Sequence, residues 1–221
     1  MSFPWGVLAA FALPVIVLGI LYVEKGRKEG FPKGVAVIFK TAATLCCACF
    51  ALYLTLMNPT LPKYLIYAGL LVDAAADFML CYDFFRGVIF FGAGHMLYCA
   101  ACVLIKVPGA VGIAVCGVLF ALCFGVYYWK YDRIKGTFGT ARSVILLVYA
   151  LLECLLTGFV CNQNALMIAG AALFILSDIL LALGGREERT KARHYAELTL
   201  YWAGLMLIAS SVFLIPVTVM L

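Results

Sequence analysis

The stretch 69-GLLVDAAADFMLCYDFFRGVIFFGAGHMLY-98 decides the fold, because it places acidic and histidine side chains in runs that are otherwise apolar enough to lie in lipid. These side chains are Asp73, Asp77 and His95. An ionised carboxylate at the centre of a membrane helix costs about 2.5–3.5 kcal/mol on insertion scales. Ionisable residues at that depth usually face the interior of a helix bundle, so they indicate a functional site.

The composition of the 221-residue chain is that of a polytopic membrane protein. Hydrophobic residues make up 66%, charged residues 12%, and the mean hydropathy is +1.09, whereas soluble proteins carry about 25% charged residues. Since a spanning helix needs about 20 apolar residues, we expect one all-α transmembrane domain over residues 1–221, with eight helices in one bundle. The predicted helices are 3–22, 34–56, 63–82, 85–105, 110–129, 142–160, 163–183 and 195–219. We expect the first helix to be retained rather than cleaved as a signal peptide.

Lysine and arginine residues are concentrated on one side of the predicted helices. Thirteen of the 16 follow helices 1, 3, 5 and 7, only Lys63 and Lys106 lie on the opposite side, and Lys40 falls inside helix 2. The positive-inside rule therefore predicts a multi-pass protein of a bacterial plasma membrane with both termini non-cytoplasmic. The formal charge of +5 is explained by these loops and their attraction to membrane lipid, so no nucleic-acid partner is expected.

Cysteine and histidine residues predict no disulfide framework, no metal site and no cofactor. Nine of the ten cysteines fall within predicted spans, where we interpret them as small apolar packing residues. Cys99 and Cys102 form a CxxC, but on a membrane helix rather than beside a redox βαβ unit. His95 and His194 lie at different depths and make a poor zinc set, while mixed Asp/His ligation stays open.

The depths of the polar side chains bring several of them to common levels. At 1.5 Å per residue, Asp77, Asp178 and Lys40 lie roughly 8–9 Å from the cytoplasmic ends of their helices. His95 and Glu153 lie deeper, at about 15 Å. Asp73, Tyr98 and Tyr149 lie at neighbouring levels. We expect these groups to be mutually paired, partly neutral, or in contact with water in a cavity.

Two acids occupy equivalent positions in the two halves of the chain. The spacing from Gly69 to Asp77 equals that from Gly170 to Asp178, and both predicted helices run inward. A parallel 4+4 repeat about an axis along the membrane normal would bring the two carboxylates face to face. Two interpretations stay open: an acid pair that does chemistry, and a structural polar network in which Lys40 neutralises one aspartate.

Other polar and small residues near this layer are given structural roles. Asp83 lies between helices 3 and 4, and we expect it to cap helix 4. Gly87, Gly92 and Gly94 surround His95. Close helix packing is the expected reason for them, and room for a ligand is the alternative.

Four segments, in this order and spacing, resemble the YhhN-like family of membrane lysoplasmalogenases: AADFML, FFRGVIFFGAGHMLY, GAALFILSDILLAL and LYWAGLMLIA. FKTAAT in helix 2 is similar to the family's Lys-Pro segment. The resemblance implies an intramembrane hydrolase that cleaves the vinyl ether of lysoplasmalogens to a fatty aldehyde and glycerophosphocholine or glycerophosphoethanolamine. It implies catalytic roles for Asp77 and Asp178. The candidate substrate-binding residues are Lys40, Asp73, His95, Tyr98, Tyr149, Glu153, Ser177 and Tyr201.

Three positions depart from the family pattern. Ala76 replaces the usual glycine, Thr41 replaces the proline after the lysine, and Gly204 stands where a glutamine is expected. The last change removes a polar group that would position water or substrate. Glu153 is an additional acid near that depth and offers a replacement.

The implied chemistry suits two carboxyl groups. Protonation of the β-carbon of a vinyl ether gives an oxocarbenium ion, which water captures, and the hemiacetal then collapses to aldehyde and alcohol. One acid must start protonated, and the other carboxylate stabilises the cation and activates the water; which is which stays open. The lysophospholipid phosphate is expected near basic residues at the cytoplasmic face. These residues are Lys40, Arg86, Arg142 and Arg193.

The main alternative function is that of a small lipid or solute transporter, which would also use intramembrane acids and glycine-rich helices. An intramembrane aspartyl protease is disfavoured because its glycine-flanked acid motif is absent. Asp77 follows Ala76, and Asp178 follows Ser177.

Overall fold

The computed structural model describes residues 2–26, 32–183 and 190–216, and this part of the chain is helical without strands. The helices are α1 Trp5–Gly26, α2 Lys33–Met57, α3 Leu61–Tyr82, α4 Phe84–Ile105, α5 Ala110–Phe138, α6 Thr140–Val160, α7 Ala165–Leu183 and α8 Lys191–Ser211, followed by the 3₁₀ turn Val212–Leu214. The predicted all-α fold with eight helices is confirmed.

Seven helices in the described ranges are long and apolar enough to cross a membrane. The eighth, α7, has a shorter apolar run over residues 165–181. The chain is therefore an integral multi-pass membrane protein. Four of the basic residues behind the predicted orientation lie outside the described residues: Arg27, Lys28, Arg186 and Arg189.

Helix α5 is longer than predicted, because it continues through Lys130, Arg133 and Lys135 instead of ending before them. Lysine and arginine are good helix formers, and their presence at the membrane edge gives the helix no reason to stop. The helix ends at Gly139, whose φ of 79° lies in the left-handed region that favours glycine.

The helices pack in a similar pattern in both halves of the chain. Helix α1 packs on α2 as α5 packs on α6, and α3 packs on α4 as α7 packs on α8. Between the halves, α8 packs on α2 and α4 packs on α6. The halves differ mainly where α2 packs extensively on α3 while α6 meets α7 over a short length. These neighbours are those expected of a parallel 4+4 repeat.

The buried core lies between α2, α3, α4 and α8. Phe50, Ile66, Tyr98 and Leu205, one from each of these helices, are almost completely buried. Helix α5 is peripheral, since Gly112 is its one buried residue. Of the polar residues predicted to lie deep, Lys40, Asp73, Asp77, His95 and Tyr98 are on these helices, whereas Tyr149, Glu153 and Asp178 are on α6 and α7.

Asp83 caps α4, as predicted. Its Oδ1 atom accepts hydrogen bonds from the backbone N–H groups of Phe85 at 2.9 Å and Arg86 at 3.0 Å. The bond from Arg86, followed by that from Phe85, holds the pKa of the Asp83 carboxyl below its usual value. The cap fixes the turn between α3 and α4, the two helices that carry Asp77 and His95.

Glycines allow close approach of helices at two places that matter for the site. A Cβ atom at Gly94 of α4 would overlap the carboxyl group of Asp73 on α3, which confirms close packing there. Gly204 of α8 faces Gly170 of α7, and a Cβ on either would lie 2.8 Å from the other's carbonyl oxygen. The glutamine expected at position 204 would not fit this helix crossing.

Candidate functional site

Asp77 is completely buried and is surrounded by hydrogen-bond donors. Its Oδ1 atom lies 2.7 Å from Lys40 Nζ. Its Oδ2 atom accepts hydrogen bonds from the hydroxyl groups of Thr44 at 2.5 Å and Tyr201 at 2.9 Å. Donors on both oxygens stabilise the ionised carboxylate. Of the two aspartates that share a layer with Lys40, it is therefore Asp77 that forms the ion pair.

Two members of this group were not predicted. Thr44 lies four residues after Lys40 on the same face of α2, so helical spacing could have identified it. Trp202 Nε1 donates to Thr44 Oγ1 at 3.2 Å. No feature of the sequence indicated Trp202, because a tryptophan in a membrane helix is more often a packing residue. We call Lys40, Thr44, Asp77, Tyr201 and Trp202 the Asp77 group.

Asp178 forms a second group with residues of α6. The Tyr149 hydroxyl group hydrogen-bonds to Asp178 Oδ2 and, at 3.2 Å, to Glu153 Oε1. The Tyr149 hydroxyl group therefore brings the carboxyl groups of Glu153 and Asp178 close together. The two α6 residues are four apart, as Lys40 and Thr44 are on α2. We call Tyr149, Glu153 and Asp178, together with His95, the Asp178 group.

His95 joins this group from α4 and is completely buried. Its Nδ1 atom donates to the Phe91 carbonyl oxygen at 2.7 Å, and its Nε2 atom lies 3.0 Å from Glu153 Oε1. Both ring nitrogens are therefore engaged. The described residues include no cluster of three or more histidine, cysteine or acidic side chains arranged to hold a metal ion.

Asp73 lies between the two groups, one turn from Asp77 on α3. It is completely buried, and its Oδ2 atom accepts a hydrogen bond from the Tyr98 hydroxyl group at 2.5 Å. Its Oδ1 atom has no hydrogen-bond partner among the described residues. Asp73 interacts electrostatically with both His95 and Asp77. The polar residues of α3 and α4 thus connect the Asp77 group with the Asp178 group.

Three aromatic rings also lie between the groups. Phe91, Phe174 and Tyr201 pack edge to face with centroid distances of 5.4 to 6.0 Å. Phe174 lies one turn before Asp178 and its ring centroid is 5.0 Å from that of His95. The two phenylalanines were not predicted, because apolar residues in a membrane helix carry no signal of which neighbour they face.

Asp77 and Asp178 belong to two separate hydrogen-bonded groups, and the face-to-face arrangement suggested by their spacing stays a prediction. Their carboxyl groups share no hydrogen-bond partner among the described residues. Each aspartate faces the second helix of its own half, α2 for Asp77 and α6 for Asp178. The reason is that a buried carboxyl group needs polar partners, and these two helices supply them.

The other predicted residues have different surroundings. Ser177 is buried beside Asp178 on α7 but joins neither hydrogen-bonded group in the described part of the chain. Arg193 Nη2 donates to the Leu180 carbonyl oxygen at 2.6 Å near the end of α7. The Arg142 guanidinium lies 4.9 Å from the centre of the Phe85 ring. Both arginines therefore have partners within the protein, as Lys40 has in Asp77.

A cavity of about 230 Å³ opens next to the Asp77 group. Two of its lining residues, Tyr22 and Cys81, interact electrostatically with Lys40 and Asp77. The cavity therefore lies between the N-terminal end of α2 and the neighbourhood of the ion pair. Its lining residues are Tyr22, Gly26, Lys33, Ala36, Val37, Cys81 and His194.

Fold and site together define a class: a polytopic helical membrane protein whose bundle encloses a polar site of carboxyl groups, the Lys40 ammonium group and the His95 imidazole. A comparison with family models supports a more specific identification. The chain matches the model of the YhhN family over residues 35–212 and belongs to this family, which is the family of lysoplasmalogenases. The match includes every residue of both groups. No solved structure matches the chain.

Proposed function

We propose that this protein is an intramembrane hydrolase that cleaves the vinyl ether bond of lysoplasmalogens. The products are a fatty aldehyde and glycerophosphocholine or glycerophosphoethanolamine. The observation that carries the proposal is the pair of unlike carboxyl groups: Asp77 is held by Lys40, whereas Asp178 shares the Tyr149 hydroxyl group with a second carboxyl group, that of Glu153. Membership of the YhhN family supports a hydrolase of this type at family level.

Hydrolysis of a vinyl ether needs both kinds of carboxyl group. A protonated acid delivers its proton to the β-carbon, and the ether oxygen then shares the positive charge as an oxocarbenium ion. A carboxylate stabilises this cation and removes a proton from the attacking water. The hemiacetal then collapses to aldehyde and alcohol. Asp77 and Asp178 are the proposed catalytic residues, with the aromatic rings between them as the proposed apolar floor for the linkage.

The proposed substrate is a single-chain lysophospholipid that reaches the site from the membrane. We infer that its phosphate occupies the cavity beside Asp77. Lys33 lines that cavity and Lys40 lies beyond it, so both can attract an anionic group. The chain orientation proposed for this route has both termini non-cytoplasmic, which puts the cavity mouth at the cytoplasmic face.

A transporter of small lipids or solutes is the second candidate. The near-equivalent packing of the two halves favours it, because parallel repeats with acids at their interface are common in transporters. The two candidates differ in whether a covalent bond of the lipid is broken. They also differ in whether an ion gradient is required.

The test is to incubate the purified protein in detergent micelles with a lysoplasmalogen and to measure free fatty aldehyde. The matched control substrate is the lysolipid with a saturated alkyl ether of the same chain length and head group. We expect aldehyde from the vinyl ether alone, because the saturated ether has no carbon that can accept the proton. Absence of aldehyde, together with gradient-dependent uptake of lysolipid into vesicles, would favour the transporter.

A further inference from the structure

The two aspartates are held by helix pairs with the same geometry but different chemistry. Asp77 is contacted by two residues four apart on α2, and Asp178 is contacted by Tyr149 of α6, which also bonds to Glu153 four residues further along that helix. On α2 these residues are a lysine and a threonine, which are hydrogen-bond donors. On α6 they are Tyr149 and Glu153, so an acid takes the place of a donor. The two equivalent positions are thus built for different protonation states.

Asp77 is surrounded as a carboxylate. Three donor groups, the Lys40 ammonium and the hydroxyl groups of Thr44 and Tyr201, point at its two oxygens. A protonated carboxyl group would use one oxygen as a donor and would lose one of these bonds. The surroundings of Asp77 therefore favour the form that accepts a proton from water.

The Asp178 group contains a proton that two carboxyl groups share. The Tyr149 hydroxyl has one proton, yet it contacts oxygens of both Glu153 and Asp178. One hydroxyl proton can complete only one of these two contacts, and a proton on one of the carboxyl groups would complete the other.

The contact with His95 favours the negative charge on Glu153 rather than on Asp178. Its Nε2 atom lies 3.0 Å from Glu153 Oε1, while its Nδ1 proton is fixed on the Phe91 carbonyl oxygen. An imidazolium next to Glu153 stabilises charge on that residue. Asp73 on α3 faces the imidazole from the other side and adds to its positive character. On α8, Arg193 is bound to the Leu180 carbonyl oxygen.

We propose that Glu153 is a positioning residue that shares one proton with Asp178, and that this makes Asp178 the general acid and Asp77 the general base. The inference rests on the proposed function for its chemistry. The proton of Asp178 forms the new C–H bond at the β-carbon, and the attacking water gives its proton to Asp77. A proton passes back from Asp77 to the carboxyl pair before the next turnover, so the net reaction consumes one water.

The first experiment is a pH profile of kcat/KM for Glu153→Gln, Glu153→Asp and the wild type. Removal of the neighbouring carboxylate lets Asp178 lose its proton more easily, so the alkaline limb should move down by about one pH unit in Glu153→Gln. Activity at a pH above the shifted limb should then fall roughly tenfold. Glu153→Asp should restore the limb. The matched control is Asp132→Asn, which removes an exposed acid of α5 and should leave the profile unchanged.

The second experiment needs no turnover and separates this inference from the proposed function. Infrared spectra of the purified protein across a pH series report the carboxylic acid C=O band, which Asp178→Asn should remove. In Glu153→Gln this band should disappear at a lower pH than in the wild type. An unshifted band and an unshifted alkaline limb would overturn the shared proton. A shifted band in a protein that releases no aldehyde would support the shared proton and would reject the proposed hydrolase function.

Discussion

The ion pair between Lys40 and Asp77 predicts a large and coupled effect on stability. The two groups are 2.7 Å apart, and their side chains are 8% and 0% exposed. Lys40→Met leaves a buried carboxylate without its counter-charge, which typically costs about 3–5 kcal/mol. The hydroxyl groups of Thr44 and Tyr201 remain bound to Asp77. Because hydrogen bonds to a charged group are worth about 1.5–3 kcal/mol each, we expect the lower end, about 3 kcal/mol.

A double variant tests whether Lys40 and Asp77 stabilise the fold as a pair. Asp77→Asn alone leaves a buried ammonium group and should cost a similar amount, whereas Lys40→Met with Asp77→Asn removes both charges. The loss in the double variant should therefore fall short of the sum by about 2 kcal/mol or more. Denaturant titration in micelles, followed by tryptophan fluorescence, measures all four proteins. Trp202 makes the signal local, since its indole donates to Thr44.

Lys106 provides a matched control for the change at Lys40. Lys106→Met removes an exposed lysine at the end of α4 and should change stability by less than about 0.5 kcal/mol. If Lys40→Met were as mild as Lys106→Met, the buried ion pair would not stabilise the fold. Additive losses in the double variant would show that the two residues act independently, and the account of Asp77 as a paired carboxylate would fail.

Three further predictions follow from the fold. Gly204→Ala should destabilise the α7–α8 crossing by about 1–3 kcal/mol through overpacking. Gly117→Ala on α5, where an added Cβ atom would meet open space, should be neutral or stabilising. Denaturant titration of the two variants compares their stabilities. The pKa of the Asp83 carboxyl is lowered in the folded protein. The cap therefore stabilises the fold at pH values above the usual aspartate pKa, and this stabilisation should be lost as the pH falls through the lower pKa of the folded state. Asp83→Asn should abolish this acid dependence of the melting temperature. Terminal reporter fusions should be active only outside the cytoplasm, and activity of either fusion in the cytoplasm would refute the predicted orientation.

The sequence predicts much of the fold because hydropathy and depth are one-dimensional properties. The count of eight helices, the cap at Asp83 and the common layer of Lys40 and Asp77 all follow from position along the chain. The rotation of each helix about its own axis, in contrast, does not follow from position along the chain. Glu153 and Asp178 were both identified, but their contact depends on how α6 meets α7, and only the packed structure contains that information.

Residues with no unusual chemistry were the hardest to predict. Phe91 and Phe174 separate the two groups, yet they look like any other apolar residues of a membrane helix. The face-to-face arrangement of Asp77 and Asp178, expected from their spacing, stays a prediction. The spacing did not reveal that Asp77 takes hydrogen-bond partners from α2 and α8, and Asp178 from α6.

The central claim is that two carboxyl groups of this bundle perform acid and base catalysis on a vinyl ether. The most direct measurement is aldehyde release from a lysoplasmalogen by the wild type, by Asp77→Asn, by Asp178→Asn and by the double variant, each shown to be folded and to bind the lysolipid. We expect each single change to abolish turnover, and the double change to be little worse than either, because residues that act as a unit are not additive. Near-native turnover in both single variants would contradict the claim and leave the buried acids as a structural network.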